Sequence, residues 1–346
     1  MKKILIYILL FIIICFILPA IFTNNAINAK ETISNVYNQQ ENNNENQEKN
    51  SENTEQNSNY EYKKYGTIKL LHQKTGQVEE VELDNYLLNV VSAEMPATFE
   101  LEALKAQAIV ARTYTVYKIK NKKHENADIC DDSSCCQAWI SKEDRLAKWE
   151  ESKREENWKK IEECVNKTKG KIITYNNEPI NAFFHSNSGG TTEMPVNVWG
   201  GTGYPYLQVV ETAGEEGYTQ YSSEVILTLE EIKNKLKTKY SDIQIDENNN
   251  EDIKILEYTD SGRVKTVKFG NHNISGVETR TLLGLRSANF EIKKENEKYK
   301  FSVKGYGHGV GMSQTGADAM AKQGSNAEEI IHHFYTDVEI KDINSI

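Results

Sequence analysis

The chain has no surplus of positive charge. Its 41 Lys and Arg are outnumbered by 51 Asp and Glu over 346 residues, for a formal net charge of -10. That balance excludes nucleic acid as a partner, because phosphate recognition needs clustered cations that release counterions. Walker and dinucleotide glycine fingerprints are missing, and so is a Gly-x-Ser-x-Gly elbow, which removes the commonest nucleotide-binding and acyl-transfer readings. No internal repeat recurs. Cysteine is scarce, at 5 residues, but four of the five follow residue 129. The length allows one large domain or two modest ones.

One apolar run approaches membrane length, and it lies at the N-terminus. Met1-Lys2-Lys3 precedes Ile4 to Phe22, close to the ~20 residues that cross a bilayer. A cleaved export signal has a shorter apolar core and an Ala-x-Ala-like site, whereas Ile27 occupies the minus-three position before Ala29. The expectation is therefore an uncleaved single-pass anchor over residues 1–22 in the cell membrane. Lys2 and Lys3 stay inside, and the rest lies outside the cytoplasm. From Thr23 to Asn59 the chain is mostly Asn, Gln, Glu and Ser. With so little to bury, it reads as a disordered tether, either a functional leash or a tolerated spacer. Residues 60–346 are then the exported domain.

Within that domain, Gly66 to Leu83 alternates like two strands around Lys74-Thr75-Gly76. Asp84 is placed to cap a helix ending at Pro96, and Thr98 to cap a longer one to about Asn121. A charged helix is predicted from Ser141 to Lys167, stopped by Gly170. Lys171–Tyr175 and Ile180–Phe184 flank Asn176-Asn177, and Ile253–Tyr258 and Val264–Phe269 flank Asp260-Ser261-Gly262, both hairpin signals. Thr228 with Glu231, and Ser325 with Glu328, read as capping boxes. Helices and mostly antiparallel strands arranged in blocks predict an α+β fold.

The first helix carries an anomaly. Leu83, Tyr86, Leu87, Val90 and Val91 form an apolar stripe whose next member is Glu94. A carboxyl group partly buried there would have its pKa raised, as a general acid near neutral pH requires. Equally, Glu94 could end the core by pairing with a cation. On the next helix, Lys105 and Arg112 lie seven apart and share a face. They read either as cations that hold a ligand or as ordinary surface residues.

His124, Cys130, Cys135 and Cys136 cluster closely, with Cys164 downstream and Cys15 inside the apolar run. Thiolate and imidazole suit tetrahedral zinc, while an exported chain could oxidise the same cysteines to disulfides. If all four residues bind, the site is closed and the zinc is structural. Two further segments are rich in glycine, hydroxyls and amides: His185 to Glu193 and Gly305 to Gln314. Such runs allow sharp turns or close approach of a ligand to the backbone, and pure packing glycines explain them as well. His185, Ser188, His308 and Gln314 are their candidate substrate-binding side chains.

In order, these segments resemble the stage II sporulation protein D family. The resemblance runs from Leu83-Asp84-Asn85-Tyr86-Leu87 through Ser92-Ala93-Glu94-Met95-Pro96, and from Leu104-Lys105-Ala106-Gln107-Ala108 to Ala111-Arg112-Thr113-Tyr114. It continues in Cys136-Gln137-Ala138-Trp139, His185-Ser186, Ser188-Gly189-Gly190, Trp199-Gly200-Gly201, Tyr204-Pro205-Tyr206-Leu207 and Gly305 to Gly316. It implies a lytic transglycosylase of peptidoglycan acting during engulfment in endospore formation. Such an enzyme cleaves between N-acetylmuramic acid and N-acetylglucosamine in strands already stripped of stem peptides. The expected partners are the amidase stage II sporulation protein P and the membrane protein stage II sporulation protein M.

On this resemblance the catalytic glutamate falls on Glu94 and supporting cations on Lys105 and Arg112. A substrate tyrosine falls on Tyr206, with Tyr204 as the alternative. Zinc falls on His124, Cys130 and Cys136, and Cys135 stands at the fourth position. Relatives described as amidase enhancers share the domain, so a wall-binding protein that cuts nothing is the rival reading. A zinc amidase built on the His/Cys cluster is a second.

Overall fold

Alternation between Gly66 and Leu83 becomes a hairpin of β1 (Thr67–His72) and β2 (Gln77–Glu82), paired antiparallel from Thr67 opposite Glu82 to His72 opposite Gln77. The computed structural model describes residues 60–249 and 251–346; the expected anchor and tether, 1–22 and 23–59, lie outside the described residues. No helix among the described residues is long and apolar enough to cross a membrane. Helices and several small antiparallel sheets alternate, so the α+β expectation holds.

Helix α1 (Leu83–Glu94) follows β2 directly, and all five residues of its stripe are fully buried. Burial of each such side chain stabilises the fold by about 1.5–3 kcal/mol. Its cap differs from expectation: Glu82 occupies that position without a side-chain bond, and Asp84 instead accepts from Tyr62 Oη at 2.8 Å. Helix α2 (Leu101–Lys120) begins two residues later than a Thr98 cap would place it. From Ala103 to Val116 it is buried at every position except Lys105. A helix enclosed on all sides needs small residues where neighbours approach, which is the use of Ala103, Ala106, Ala108 and Ala111.

Strand β3 (Ile129–Cys130) adds to β1 in parallel. The predicted charged helix is broken in two, α3 (Lys142–Lys148) and α4 (Arg154–Lys167). Between them Trp149 is extended and its indole packs 6.5 Å from that of Trp158, so burial of two large rings outweighs helix continuity. Gly170 ends the segment at φ +72°, and a Cβ there would collide with the ring of Tyr60.

Asn176 and Asn177 form the expected turn, both at positive φ, between β4 (Lys171–Tyr175) and β5 (Glu178–Pro179). The predicted return strand Ile180–Phe184 does not form. Only β6 (Phe184–His185) pairs again, with a partner more than a hundred residues away. After α5 (Pro195–Trp199), the chain enters a segment with a hydrophobic core of its own. This comprises β7 (Ser222–Thr228), α6 (Leu229–Lys237), β8 (Ile253–Tyr258), β9 (Val264–Phe269), β10 (His272–Ser275), α7 (Gly276–Leu283), β11 (Asn289–Glu295) and β12 (Lys298–Lys304). The Thr228/Glu231 capping box and the β8–β9 hairpin appear as expected.

Gly305 N–H donates to Tyr221 O at 2.7 Å, so this segment leaves and re-enters the main body at one point, as an insert does. Then β13 (Met312–Ser313) pairs in parallel with β6 and leads into α8 (Gln314–Lys322). Helix α9 (Ala327–Phe334) uses Asn326 and Glu329 as its capping box, one residue past the Ser325/Glu328 expectation. Finally, β14 (Glu339–Asp342) pairs with β4.

Candidate functional site

An open cleft of about 960 Å³ lies where the end of α1, the loop Ser133–Ala138, the segments Phe183–Ser186 and Trp199–Tyr204, and Tyr306–His308 converge. The β6–β13 pairing brings Phe184 opposite Met312 and His185 opposite Ser313, which puts Gln314 beside Glu94. Of the sequence candidates, Glu94, His185, His308, Gln314, Cys135 and Cys136 line this cleft. Lys105, Arg112, Ser188 and Tyr206 do not.

Glu94 is held by two donors. Ala138 N–H reaches Oε1 at 2.6 Å, and Gln314 Nε2 reaches Oε2 at 3.3 Å. No cation pairs with it among the described residues, so the reading of Glu94 as half of an ion pair is set aside. Burial dominates and pushes its pKa up to about 7, against the opposing pull of those two hydrogen bonds. The Ala138 N–H and the Gln314 amide N–H both donate, so each carboxyl oxygen accepts a hydrogen bond, and the longer contact at Oε2 leaves that oxygen the freer of the two to carry the acid proton.

Ala138 is itself fixed. The neighbouring Gln137 is buried and donates to Tyr86 Oη at 2.9 Å and Thr115 Oγ1 at 3.0 Å, tying the loop to both central helices.

The opposite wall is mostly aromatic, with Arg280 beside it. Trp199, half exposed, stacks on Phe183 with centroids 4.5 Å apart, and His308 lies 5.0 Å from Trp199. Flat rings of this kind suit the apolar C–H faces of a pyranose. His308 Nδ1 accepts from Val310 N at 3.0 Å, and burial holds the ring neutral. His185 Nδ1 lies 3.1 Å from Val310 O, which requires the proton on Nδ1 and leaves Nε2 a lone pair without a partner. Burial, reinforced by Arg263, pushes the pKa of His185 down to about 3. Tyr204 lines the cleft; Tyr206 is buried, its Oη accepting from Asn181 N at 2.9 Å. Of the two tyrosine alternatives, Tyr204 is the one in position to meet a ligand.

Three expectations need correction. Arg112 is neither a cleft residue nor a surface residue. It is fully buried, donating to Thr168 O at 2.7 Å and Lys171 O at 3.3 Å and pairing with Asp84 at 3.3 Å. It thereby satisfies a carbonyl just past the end of α4, where a cation is favoured. Arg112→Met should lower stability by about 3 kcal/mol, because half-buried Asp84 loses its cation and the Thr168 and Lys171 carbonyls lose their donor. Denaturant titration checks this, and an unchanged midpoint with a raised KM would restore a ligand role. Lys105 pairs with Glu102 at 2.5 Å, away from the cleft. Ser188 is fully buried, its hydroxyl donating to Glu215 at 2.5 Å.

Glu215 was not legible as important in the sequence. It also accepts from Ser188 N at 3.2 Å, Thr212 Oγ1 at 2.9 Å and Thr315 Oγ1 at 2.8 Å, and from the Ser313 hydroxyl. This buried carboxylate ties the loop after His185 to the start of α8 at Gln314. Phe183 and Arg280 of the cleft were also missed as site residues, since nothing in their local pattern distinguishes them, and Trp199 was not singled out although its Trp199-Gly200-Gly201 segment carries the resemblance.

His124, Cys130, Cys135 and Cys136 place one ligand atom each within 4.8 Å of one another. The His124 Nε2 to Sγ distances are 3.6 and 3.5 Å, and the two adjacent sulfurs are 3.9 Å apart. Tetrahedral zinc with Zn–S near ~2.3 Å and Zn–N near ~2.0 Å places its ligands about 3.5–3.8 Å apart; the His124 pairs match this and the Cys135–Cys136 pair lies close to it, so the donor set suits the metal. The four described cysteines are free thiols, and Cys164 donates to Ile161 O well apart from this loop.

The cleft thus combines one carboxyl group poised near neutrality with flat aromatic rings facing it, an arrangement suited to acid/base chemistry on a ligand with apolar faces. Comparison with known proteins agrees with the motifs. A family model described as "Stage II sporulation protein" matches residues 71–175, and one for a domain of unknown function matches residues 205–311. The chain is 36% identical over 271 residues to stage II sporulation protein D of Bacillus subtilis (strain 168), covering 78% of this chain and 77% of that one. The counterpart in Bacillus amyloliquefaciens is also 36% identical, over 273 residues. An amidase enhancer of Bacillus subtilis is 29% identical, with 72% of this chain and 39% of the relative aligned. The chain belongs to the stage II sporulation protein D family.

Proposed function

We propose that this protein is a peptidoglycan lytic transglycosylase acting in endospore formation, with Glu94 as its single acid/base. The observation that carries the reading is that Glu94 is the only carboxylate among the described residues lining the cleft. Ordinary glycosidases need two carboxyl groups, one for the leaving group and one to manage water or form a covalent intermediate. One suffices when the nucleophile belongs to the substrate.

Glu94 would donate its Oε2 proton to the glycosidic oxygen as the bond from muramic acid C1 breaks. The C6 hydroxyl of the same sugar forms the new bond to C1, and its proton returns to the Glu94 carboxylate. The products are a free 4-hydroxyl on N-acetylglucosamine and a 1,6-anhydro end, and the acid is regenerated. Because attack is intramolecular, holding the ring supplies much of the acceleration. Trp199, Phe183 and Tyr204 are placed for that holding.

On this reading His124, Cys130, Cys135 and Cys136 would hold a zinc ion, which would cross-link their loop and serve as a structural metal. That loop carries Ala138, whose N–H aims Glu94. We further propose that residues 4–22 anchor the chain in the cell membrane with the catalytic domain outside the cytoplasm. Stage II sporulation proteins P and M are then its partners.

Mass analysis of products from stripped glycan strands tests the reading, and anhydro-muramic ends are expected. Their absence would leave the non-cutting, amidase-enhancing reading standing. The acid must be protonated in the free enzyme, so kcat/KM should fall as pH rises through about 7, the value to which burial pushes Glu94. A rate that instead climbed across that range would rule out Glu94 as the acid.

A further inference from the structure

We propose that Arg280 recognises a free carboxylate on the glycan: the lactyl carboxylate that muramic acid exposes once its stem peptide has been removed. This rests on the glycan-cleaving reading above and assigns a task to the insert between Tyr221 and Gly305. The insert has its own hydrophobic core, separate from the one that holds the central helices. Of the insert, Val277 and Arg280 of α7 reach the cleft, beside the re-entry segment Tyr306–His308.

The two buried arginines are occupied, and half-buried Arg145, which does not line the cleft, has the ring of Trp149 beside it. Arg112 is bonded as described, and Arg263 donates to Ser188 O at 2.7 Å and to Ser261 Oγ at 3.1 Å. Arg280 has no hydrogen bond or ion pair from its guanidinium among the described residues, although it is half-buried. It cannot find a partner inside the cleft. Glu94, the one carboxylate there, is taken by Ala138 and Gln314, and the neighbouring His185 and His308 are neutral rings. A planar cation left unpaired in a partly desolvated site is prepared for an incoming anion, and a carboxylate matches its fork geometry. His185 adds a second unmet demand on the same wall, since its buried Nε2 lone pair can accept from a sugar hydroxyl or acetamide N–H.

The ligand chemistry follows from what the reading supplies. In a strand that keeps its peptides, the lactyl group is an amide: uncharged, bulkier and unable to pair with a guanidinium. In a stripped strand it is an anion. Arg280 would therefore turn prior peptide removal into affinity, making it a specificity-determining residue rather than part of the acid/base step.

The test is binding, measured with the full-length chain carrying Glu94→Gln so that cleavage does not interfere. The probes are amidase-stripped glycan strands and the same strands with their lactyl carboxyls converted to methylamides. With Arg280 present, stripped strands should bind about tenfold more tightly than methylamide strands, the gain expected of one charge-assisted pair. Arg280→Gln should shrink that gap to about twofold or less, while Arg280→Lys, which keeps the charge but not the fork, should retain part of it. A gap unchanged in Arg280→Gln, or no gap when Arg280 is present, overturns the proposal. If the gap depends on Arg280 although the wild type yields no anhydro ends, the carboxylate site stands and the transglycosylase reading falls.

Discussion

Glu94→Gln is expected to abolish glycan cleavage, lowering kcat by roughly 10³-fold or more, in the range removal of a general acid produces. The amide keeps the shape of the side chain and an oxygen for Ala138 N–H, now 2.6 Å from Oε1, but has no proton to give. Binding of stripped strands should survive, because the aromatic wall and Arg280 are untouched.

The same substitution separates catalysis from stability by its sign. Burial raises the folded pKa of Glu94 from its ordinary 4.5 to about 7. The folded state therefore keeps a proton that the unfolded chain has lost, and this group's contribution to wild-type stability declines as pH rises across that window. Above it the wild type carries an ionised buried carboxylate and the variant does not. At pH about 8 Glu94→Gln should melt at or above the wild-type temperature. An inactive variant that also melts well below wild type at that pH would mean a structural role for Glu94, and retained cleavage would remove it from the mechanism altogether.

Stripping the His/Cys loop of metal is expected to have the second-largest effect. Binding free energy at a closed site is folding free energy, so a chelator should lower the melting temperature by roughly 5 °C, the shift that follows from losing ~3 kcal/mol in a domain of this size. The loss should spread to the cleft, because Cys136 precedes Gln137 and Ala138, and those two residues connect Tyr86, Thr115 and Glu94. Cys136→Ser should reproduce both the lowered melt and the loss of cleavage without chelator. A melt that chelator leaves unmoved would argue against a structural metal. Turnover abolished with the melt unchanged would favour the zinc-amidase alternative.

How much of this was readable beforehand varies by element. The β1–β2 and β8–β9 hairpins and the Thr228 capping box depend on neighbours in sequence, and they appear as read. The failures share a cause. Ile180–Phe184 has the composition of a strand, but its partner β13 begins at Met312, beyond any local pattern. The sequence offers Arg112 as a ligand-holding or surface cation, because helical periodicity reports which face a residue occupies. It does not report that the facing element offers free carbonyls, as the end of α4 does here. Glu215 and Arg280 carry no local signature, since one gathers hydroxyls from distant loops and the other is defined by the partner it lacks.

By itself, the sequence determined the α+β class, the buried stripe of α1, the charge at its end and the clustering of His124 with three cysteines. Each of these is a matter of spacing along one element or one loop, which chain geometry transmits directly. Only the tertiary structure decided what that charge faces. It closed β6 onto β13, set Gln314 and Ala138 against Glu94, withdrew Arg112 and Tyr206 from the cleft and brought Arg280 into it. Those outcomes depend on burying two separate hydrophobic clusters at once, a balance among residues far apart in the chain that no local pattern encodes.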